Sequence, residues 1–131
     1  MGPSPRQVSD SELEVLKVLW EHGASTVREV LERAGPAGRD WAYTTAQTLL
    51  TRLQEKGFVA SEKRGRAHVY SAVVSRDDLL GRSLQQLAER VCDGASLPLL
   101  LNLVNSSRFS PDELRAFREL LDRMDDEKED A

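Results

Sequence analysis

Residues 43–74 read YTTAQTLLTRLQEKGFVASEKRGRAHVYSAVV, and the apolar period changes within them. Ala46, Leu49, Leu50 and Leu53 recur at helical spacing, which predicts a helix over Tyr43–Lys56 capped by Gly57. Its other face carries Thr44, Gln47, Thr48, Thr51 and Arg52. A helix face that meets only water usually prefers Glu and Lys, which form helices better than threonine. Threonines there carry a cost, and the cost suggests a use. From Phe58 onward the pattern becomes that of strands. Phe58–Lys63 and Ala67–Val73 are short β-rich runs joined at Arg64, Gly65 and Arg66, which reads as a hairpin with glycine at its tip.

Upstream, Ser9 with Glu12 forms a capping box, and Val8 and Leu13 sit where a hydrophobic staple packs. Leu13, Leu16, Leu19 and Trp20 then place a helix over about Asp10–Glu21, closed by Gly23. Thr26 with Glu29 repeats the box, and Val27, Val30, Leu31 and Ala34 carry a second helix up to Gly35. Three helices and a hairpin over residues 8–74 make a winged helix-turn-helix. Downstream everything reads helical. One helix starts near Ser75 and Asp78 and ends at Gly94. A short one spans about Ser96–Asn105, with Pro98 in its first turn. A third starts at Ser110-Pro111-Asp112-Glu113.

Residues 75–126 should therefore form a three-helix domain too small to bury its apolar surface alone, which points to a second copy. Leu84, Leu87, Leu100, Leu114, Phe117, Leu120, Leu121 and Met124 are the candidate dimer contacts. The fold class is mainly α with a small β-hairpin wing. Residues 1–7 and 127–131 read as flexible ends, and Asp125–Ala131 as an acidic tail.

The chain has 131 residues and a net charge of −4. No apolar run approaches a membrane span, no signal peptide is visible, and a cytoplasmic location is expected. One cysteine, Cys92, excludes an internal disulfide, and with two histidines makes a zinc site improbable. No cofactor is implied. The charge is uneven: residues 1–82 carry +1 and residues 83–131 carry −5, summing to −4. Residues 39–66 hold six basic side chains (Arg39, Arg52, Lys56, Lys63, Arg64, Arg66) against three acidic ones. A local basic patch matters more for phosphate contact than the global charge.

Catalysis finds little support. There is no phosphate loop, no His-Glu-x-x-His and no nucleophile elbow. Asp77-Asp78 and Asp125-Asp126 read as a helix first turn and a solvated tail. His22 suits a helix C-terminus, and Cys92 a small buried site. The chain is not expected to be an enzyme. The helix-three face suits DNA better, because the second helix of such a motif enters the major groove. Thr44 and Thr48 offer hydroxyls and methyls, and Gln47 can pair with adenine. Arg52, with Lys56 at the rim, suits phosphate. Lys63, Arg64, Arg66 and His68 suit phosphates or the minor groove. The bland alternative has Thr45 and Thr51 half-buried and Arg52 paired with Glu55 or Glu32.

The stretch WAYTTAQTLLTRLQEKGFV, with SDSELEVLKVLW before it and a basic hairpin ending in VYSAVV after it, resembles the BlaI/MecI penicillinase-repressor family. The likeness runs from about Val8 to Met124. It implies homodimeric winged-helix repressors on palindromic operators ahead of β-lactamase or related resistance genes. It also implies DNA contacts from Thr44, Thr45, Gln47, Thr48 and Arg52. Tyr43, at the helix start, is placed for a phosphate, whereas Trp41 suits packing. In the family an upstream membrane sensor protease leads to a cut between an asparagine and an apolar residue. Asn102 and Leu103 stand there, where phenylalanine is the usual second residue. The copper-responsive branch carries a C-terminal cysteine cluster, which this chain lacks. Two rivals remain: a winged helix serving as a protein-interaction module, and a repressor released by a small ligand.

Overall fold

A computed structural model describes residues 7–38 and 40–129. Met1–Arg6, Asp130 and Ala131, which fall in the expected loose ends, and Arg39 of the basic stretch lie outside the described residues. The elements are α1 (Asp10–His22), α2 (Val27–Arg33), a 3₁₀ turn (Pro36–Gly38), α3 (Tyr43–Glu55), β1 (Val59–Arg64) and β2 (Ala67–Ala72), followed by α4 (Arg76–Cys92), α5 (Leu97–Ser106) and α6 (Pro111–Glu129). The protein is mainly α-helical, with an N-terminal winged helix whose wing is the β1–β2 hairpin.

Local signals place the helix starts. Ser9 Oγ accepts from the Glu12 amide at 3.2 Å, and Glu12 Oε1 accepts from the Ser9 amide at 3.0 Å. Thr26 with Glu29 and Ser110 with Glu113 form the same reciprocal pairs. Ser75 Oγ accepts from the Asp78 amide at 3.0 Å ahead of α4. Each box satisfies N–H groups that the helix cannot. In the hairpin, Arg64 pairs with Ala67, leaving a two-residue loop whose Gly65 sits at φ +64°. A positive φ at the first loop position is what glycine supplies there at no steric cost.

The core of the winged helix joins Val15, Leu16 and Leu19 of α1, Val27 and Val30 of α2, and Ala46, Leu49, Leu50 and Leu53 of α3 with Phe58, Val59, Tyr70 and Val74. Ser25 bridges to Tyr70 in antiparallel fashion, adding a third short edge beside the hairpin that periodicity did not reveal. The Ser25 amide donates to Tyr70 O at 2.9 Å and the Tyr70 amide to Ser25 O at 2.8 Å. The buried Ser25 hydroxyl donates to Gly23 O and accepts from Arg33, which also holds Glu29 at 3.0 Å. Gly38 lies under Trp41: a Cβ there would collide with the Ala34 side chain and crowd the Trp41 ring at 3.1 Å. The packing reading of Trp41 fits this position, since it is partly buried against the core.

Several boundaries differ from the sequence expectation. The chain groups into two compact units, residues 1–82 and 83–131, so the division falls inside α4 and not at its start. The first turns of α4 belong with the winged helix for identifiable reasons. Trp20 Nε1 donates to Val74 O at 2.8 Å, Arg76 stacks 5.3 Å from the Trp20 ring, Leu79 packs on the core, and Arg82 lies 6.0 Å from the Phe58 ring. At the other end, α6 runs through Glu129 where a loose acidic tail was expected. Glu127, Lys128 and Glu129 are good helix formers, no breaker intervenes, and Lys128 in the last turn complements the helix dipole. Cys92 is half-buried, not fully buried.

The second unit buries little by itself. Ala88 is its one buried hydrophobic residue among those described. No two of α4, α5 and α6 pack extensively on one another. Leu84, Leu87, Leu100, Leu114, Leu120, Leu121 and Met124 are exposed, and Phe117 is half-buried. Among the described residues no helix is long and apolar enough to cross a membrane.

Three capping glutamates sit below the usual carboxylate range. Burial pushes Glu12 up, but hydrogen bonds from Lys56 and Ser9 outweigh it; for Glu29 and Glu113, bonds from Thr26 and Ser110 dominate. A depressed carboxyl adds stability above its unfolded value and loses it as pH falls through the folded one. Urea unfolding followed from about pH 6 down to about pH 3 should show falling stability below the ordinary carboxylate value of 4.5. Glu12→Gln should make that fall shallower. An unchanged slope would show that the box does not carry the acid dependence.

Candidate nucleic-acid interface

α3 follows α2 across a connection that holds the 3₁₀ turn, and it packs Ala46, Leu49, Leu50 and Leu53 into the core, which fixes its rotation. Tyr43, Thr44, Thr45, Gln47, Thr48, Thr51 and Arg52 are consequently all exposed. Arg52 forms no ion pair with any described residue, so neither Glu55 nor Glu32 neutralises it. The alternative in which Thr45 and Thr51 are half-buried does not hold either, since both are exposed. Thr51 does spend its hydroxyl within the helix, donating to Gln47 O at 2.9 Å. The start of α3 is capped by Ala42 with no side-chain hydrogen bond, unlike α1 and α2. Tyr43 at this helix start is 51% exposed, on a helix end favourable to anions.

Lys56 is not available at the rim. Its Nζ lies 2.7 Å from Glu12 Oε1 and donates to Gln7 O at 2.7 Å, and its side chain is only 22% exposed. The spacing gave no hint of this, because the partner lies 44 residues away. Glu12 is itself buried, with Oε2 left without a partner among the described residues. A charge so placed holds its one cation tightly.

The hairpin divides its charges between two faces. Strand alternation puts Val59, Ser61 and Lys63 of β1 with His68, Tyr70 and Ala72 of β2 on one face. That face enters the core through Val59 and Tyr70. Glu62, Arg64 and Ala67 occupy the other, where Arg64 reaches Glu62 at 3.4 Å, both exposed. Lys63 and His68 stand directly opposite each other, exposed, and Arg66 lies in the turn. Neither Lys63 nor Arg66 forms an ion pair with a described residue. Lys63, Arg64 and Arg66 are thus all on the wing, but Arg64 is set apart from the other two.

Asn102 and Leu103 lie mid-way along α5 and are exposed, with Asn102 Nδ2 donating to Pro98 O at 2.8 Å. No group of three or more His, Cys, Asp or Glu residues suited to a metal exists among the described residues.

The model of the penicillinase repressor family matches residues 8–123. The chain belongs to the penicillinase repressor (BlaI/MecI) family. It is 36% identical over 121 residues to the transcriptional regulator BlaI of Mycobacterium tuberculosis, covering 91% of this chain and 86% of that one. It is 29% identical over 124 residues to the penicillinase repressor of Bacillus licheniformis, covering 95% and 96%. Among solved structures, the DNA-binding domain of the repressor BlaI is similar at 36% identity and a TM-score of 0.49, over 59% of this chain and 93% of that one. The family match spans both the winged helix and the greater part of the C-terminal helices of this penicillinase repressor homologue.

Proposed function

We propose that this member of the penicillinase repressor family is a cytoplasmic transcriptional repressor that binds a palindromic operator as a homodimer and has no enzymatic activity. Residues 8–74 supply the DNA-binding surface, and the helical residues 75–126 the dimer contacts. The observation that carries the reading is the solvent-facing Thr44-Gln47-Thr48 face of α3, beside an Arg52 that forms no ion pair with any described residue. In the major groove, Thr44, Thr45 and Thr48 meet base edges through hydroxyls and methyls, and Gln47 reads adenine. Tyr43 and Arg52 meet phosphates, while Lys63, Arg64 and Arg66 place the wing along the backbone or in the minor groove.

Dimerisation accounts for the apolar side chains that α4, α5 and α6 leave exposed. Release follows from a cut at Asn102–Leu103, within the middle helix of the dimer domain, under the control of an upstream membrane sensor protease. A repressor that leaves its operator under induction with α5 intact would defeat that step. The regulated genes belong to β-lactam resistance or stress.

Gel-shift titration against the chain's own upstream region, at two salt concentrations with unrelated DNA alongside, tests the reading. Retention of the promoter alone, weakening steeply with salt, supports it. Salt-insensitive behaviour and no DNA selectivity would point to a protein-interaction module. Within this assay Arg52→Ala should weaken binding to all sequences and reduce the salt slope by about one. Gln47→Ala should cost about 1–3 kcal/mol at the preferred site and relax specificity at one base pair. An equal loss on every sequence would end the base-reading role of Gln47.

A further inference from the structure

We infer that His68, paired across the wing with Lys63, is a phosphate contact whose protonation is coupled to DNA binding, so that the affinity of this protein for DNA rises as pH falls towards 6. The inference rests on the DNA-binding reading and adds a proton to it.

Four observations carry it. His68 and Lys63 are directly opposed in the antiparallel register, so their side chains share one face of the hairpin at close range. That face is the one whose Val59 and Tyr70 pack into the core with α1, α2 and α3, so the pair projects past the core on the side of the hairpin where α3 lies. Both side chains are exposed, and His68 has no carboxylate within ion-pair distance among the described residues. Finally, the acid nearest in the strands, Glu62, points to the opposite face and is held by Arg64 at 3.4 Å.

The charged surroundings of His68 are accordingly one-sided. Across the ladder stands Lys63; two residues back along β2, in the turn, is Arg66; two residues on is Tyr70. α3 packs on β1, and neither its Glu55 nor Glu21 of α1 forms an ion pair with His68; α1 and α2 pack on β2 at the base of the hairpin, around Tyr70. There the charged pair Glu29–Arg33 is closed on itself and on Ser25. A neutral imidazole among cations offers a phosphate one weak hydrogen bond. The protonated form offers two charged donors. Binding then takes up a fraction of a proton from solution per wing, about half at most for a shift of one pKa unit. Lys63 and Arg66 supply charge at every pH near neutrality, whereas His68 supplies it on demand.

The chain contains two histidines, His22 and His68, which makes the test clean. Fluorescence anisotropy with a short random-sequence duplex at low salt suffices, because a phosphate contact is independent of sequence. If phosphate stabilises an imidazolium by one pKa unit, affinity rises about sixfold per subunit between about pH 8 and pH 6. His22→Gln should keep that rise, and His68→Gln should abolish it with the far-UV circular dichroism unchanged. His68→Lys should bind at pH 8 as the unaltered protein binds at pH 6, with no pH dependence. Lys63→Gln should lower the salt slope by about one and retain the pH dependence. A rise that survives His68→Gln, one that disappears in His22→Gln, or salt-sensitive binding that ignores pH would overturn the inference while leaving the DNA-binding reading intact. Absence of salt-sensitive binding to any duplex at any pH would overturn both.

Discussion

Lys56→Met should lower the unfolding free energy by about 3–5 kcal/mol, the loss expected when one partner of a buried ion pair is removed. The Glu12 side chain is 3% exposed, and its Oε1 lies 2.7 Å from Lys56 Nζ. Its Oε2 has no partner among the described residues, and apart from Lys56 only the Ser9 amide, a neutral donor, meets the carboxylate. Without Lys56 the carboxylate must remain buried and uncompensated, take up a proton, or pull α1 away from the end of α3. The double variant Lys56→Met with Glu12→Gln should recover a substantial part of the loss, because the amide carries no charge to strand. Urea denaturation of the two single variants and the double variant measures the coupling. A loss below about 1 kcal/mol in Lys56→Met would mean that the pair behaves like a surface contact. DNA affinity, corrected for the folded fraction, should change little, since Lys56 is engaged by Glu12 and Gln7 and not by phosphate.

The second large effect concerns assembly. Leu120→Asp, or Phe117→Asp, should give a monomer by sedimentation, because a carboxylate placed in an apolar seam has no partner there. Affinity for a two-half-site operator should then fall by about 10²–10⁴, the advantage that linked binding provides. Binding to random duplex per subunit should persist with its salt dependence, since α3 and the wing are untouched. A variant that is monomeric yet retains full operator affinity would dissociate repression from dimerisation. A variant that stays dimeric would move the seam away from α6.

Much of the fold was legible from short spacings. The boxes Ser9–Glu12, Thr26–Glu29 and Ser110–Glu113 announced their helices three residues apart, and all three form as read. The apolar positions of α3 determined which threonines face outward, and glycine at the hairpin tip marked the turn. Less legible were the features that depend on who meets whom. The capture of Lys56 removed a residue that charge counting had assigned to the rim. The Ser25–Tyr70 bridge joins a segment too short to show any period. The first turns of α4, helical by pattern, are held to the winged helix by Trp20, Phe58 and Val74.

By itself the sequence determined the element types, their starts, the exposed face of α3, and membership of the penicillinase repressor family. These rest on hydrogen bonds between residues three or four apart and on periodic burial, both local properties of the backbone. Only the tertiary structure decided that Lys56 is spent on Glu12, that Arg64 is separated from Lys63 and His68 by the pleat, and that the compact units divide within α4. Those outcomes depend on which distant group lies within about 3 Å once the core has closed, a distance that no spacing along the chain encodes.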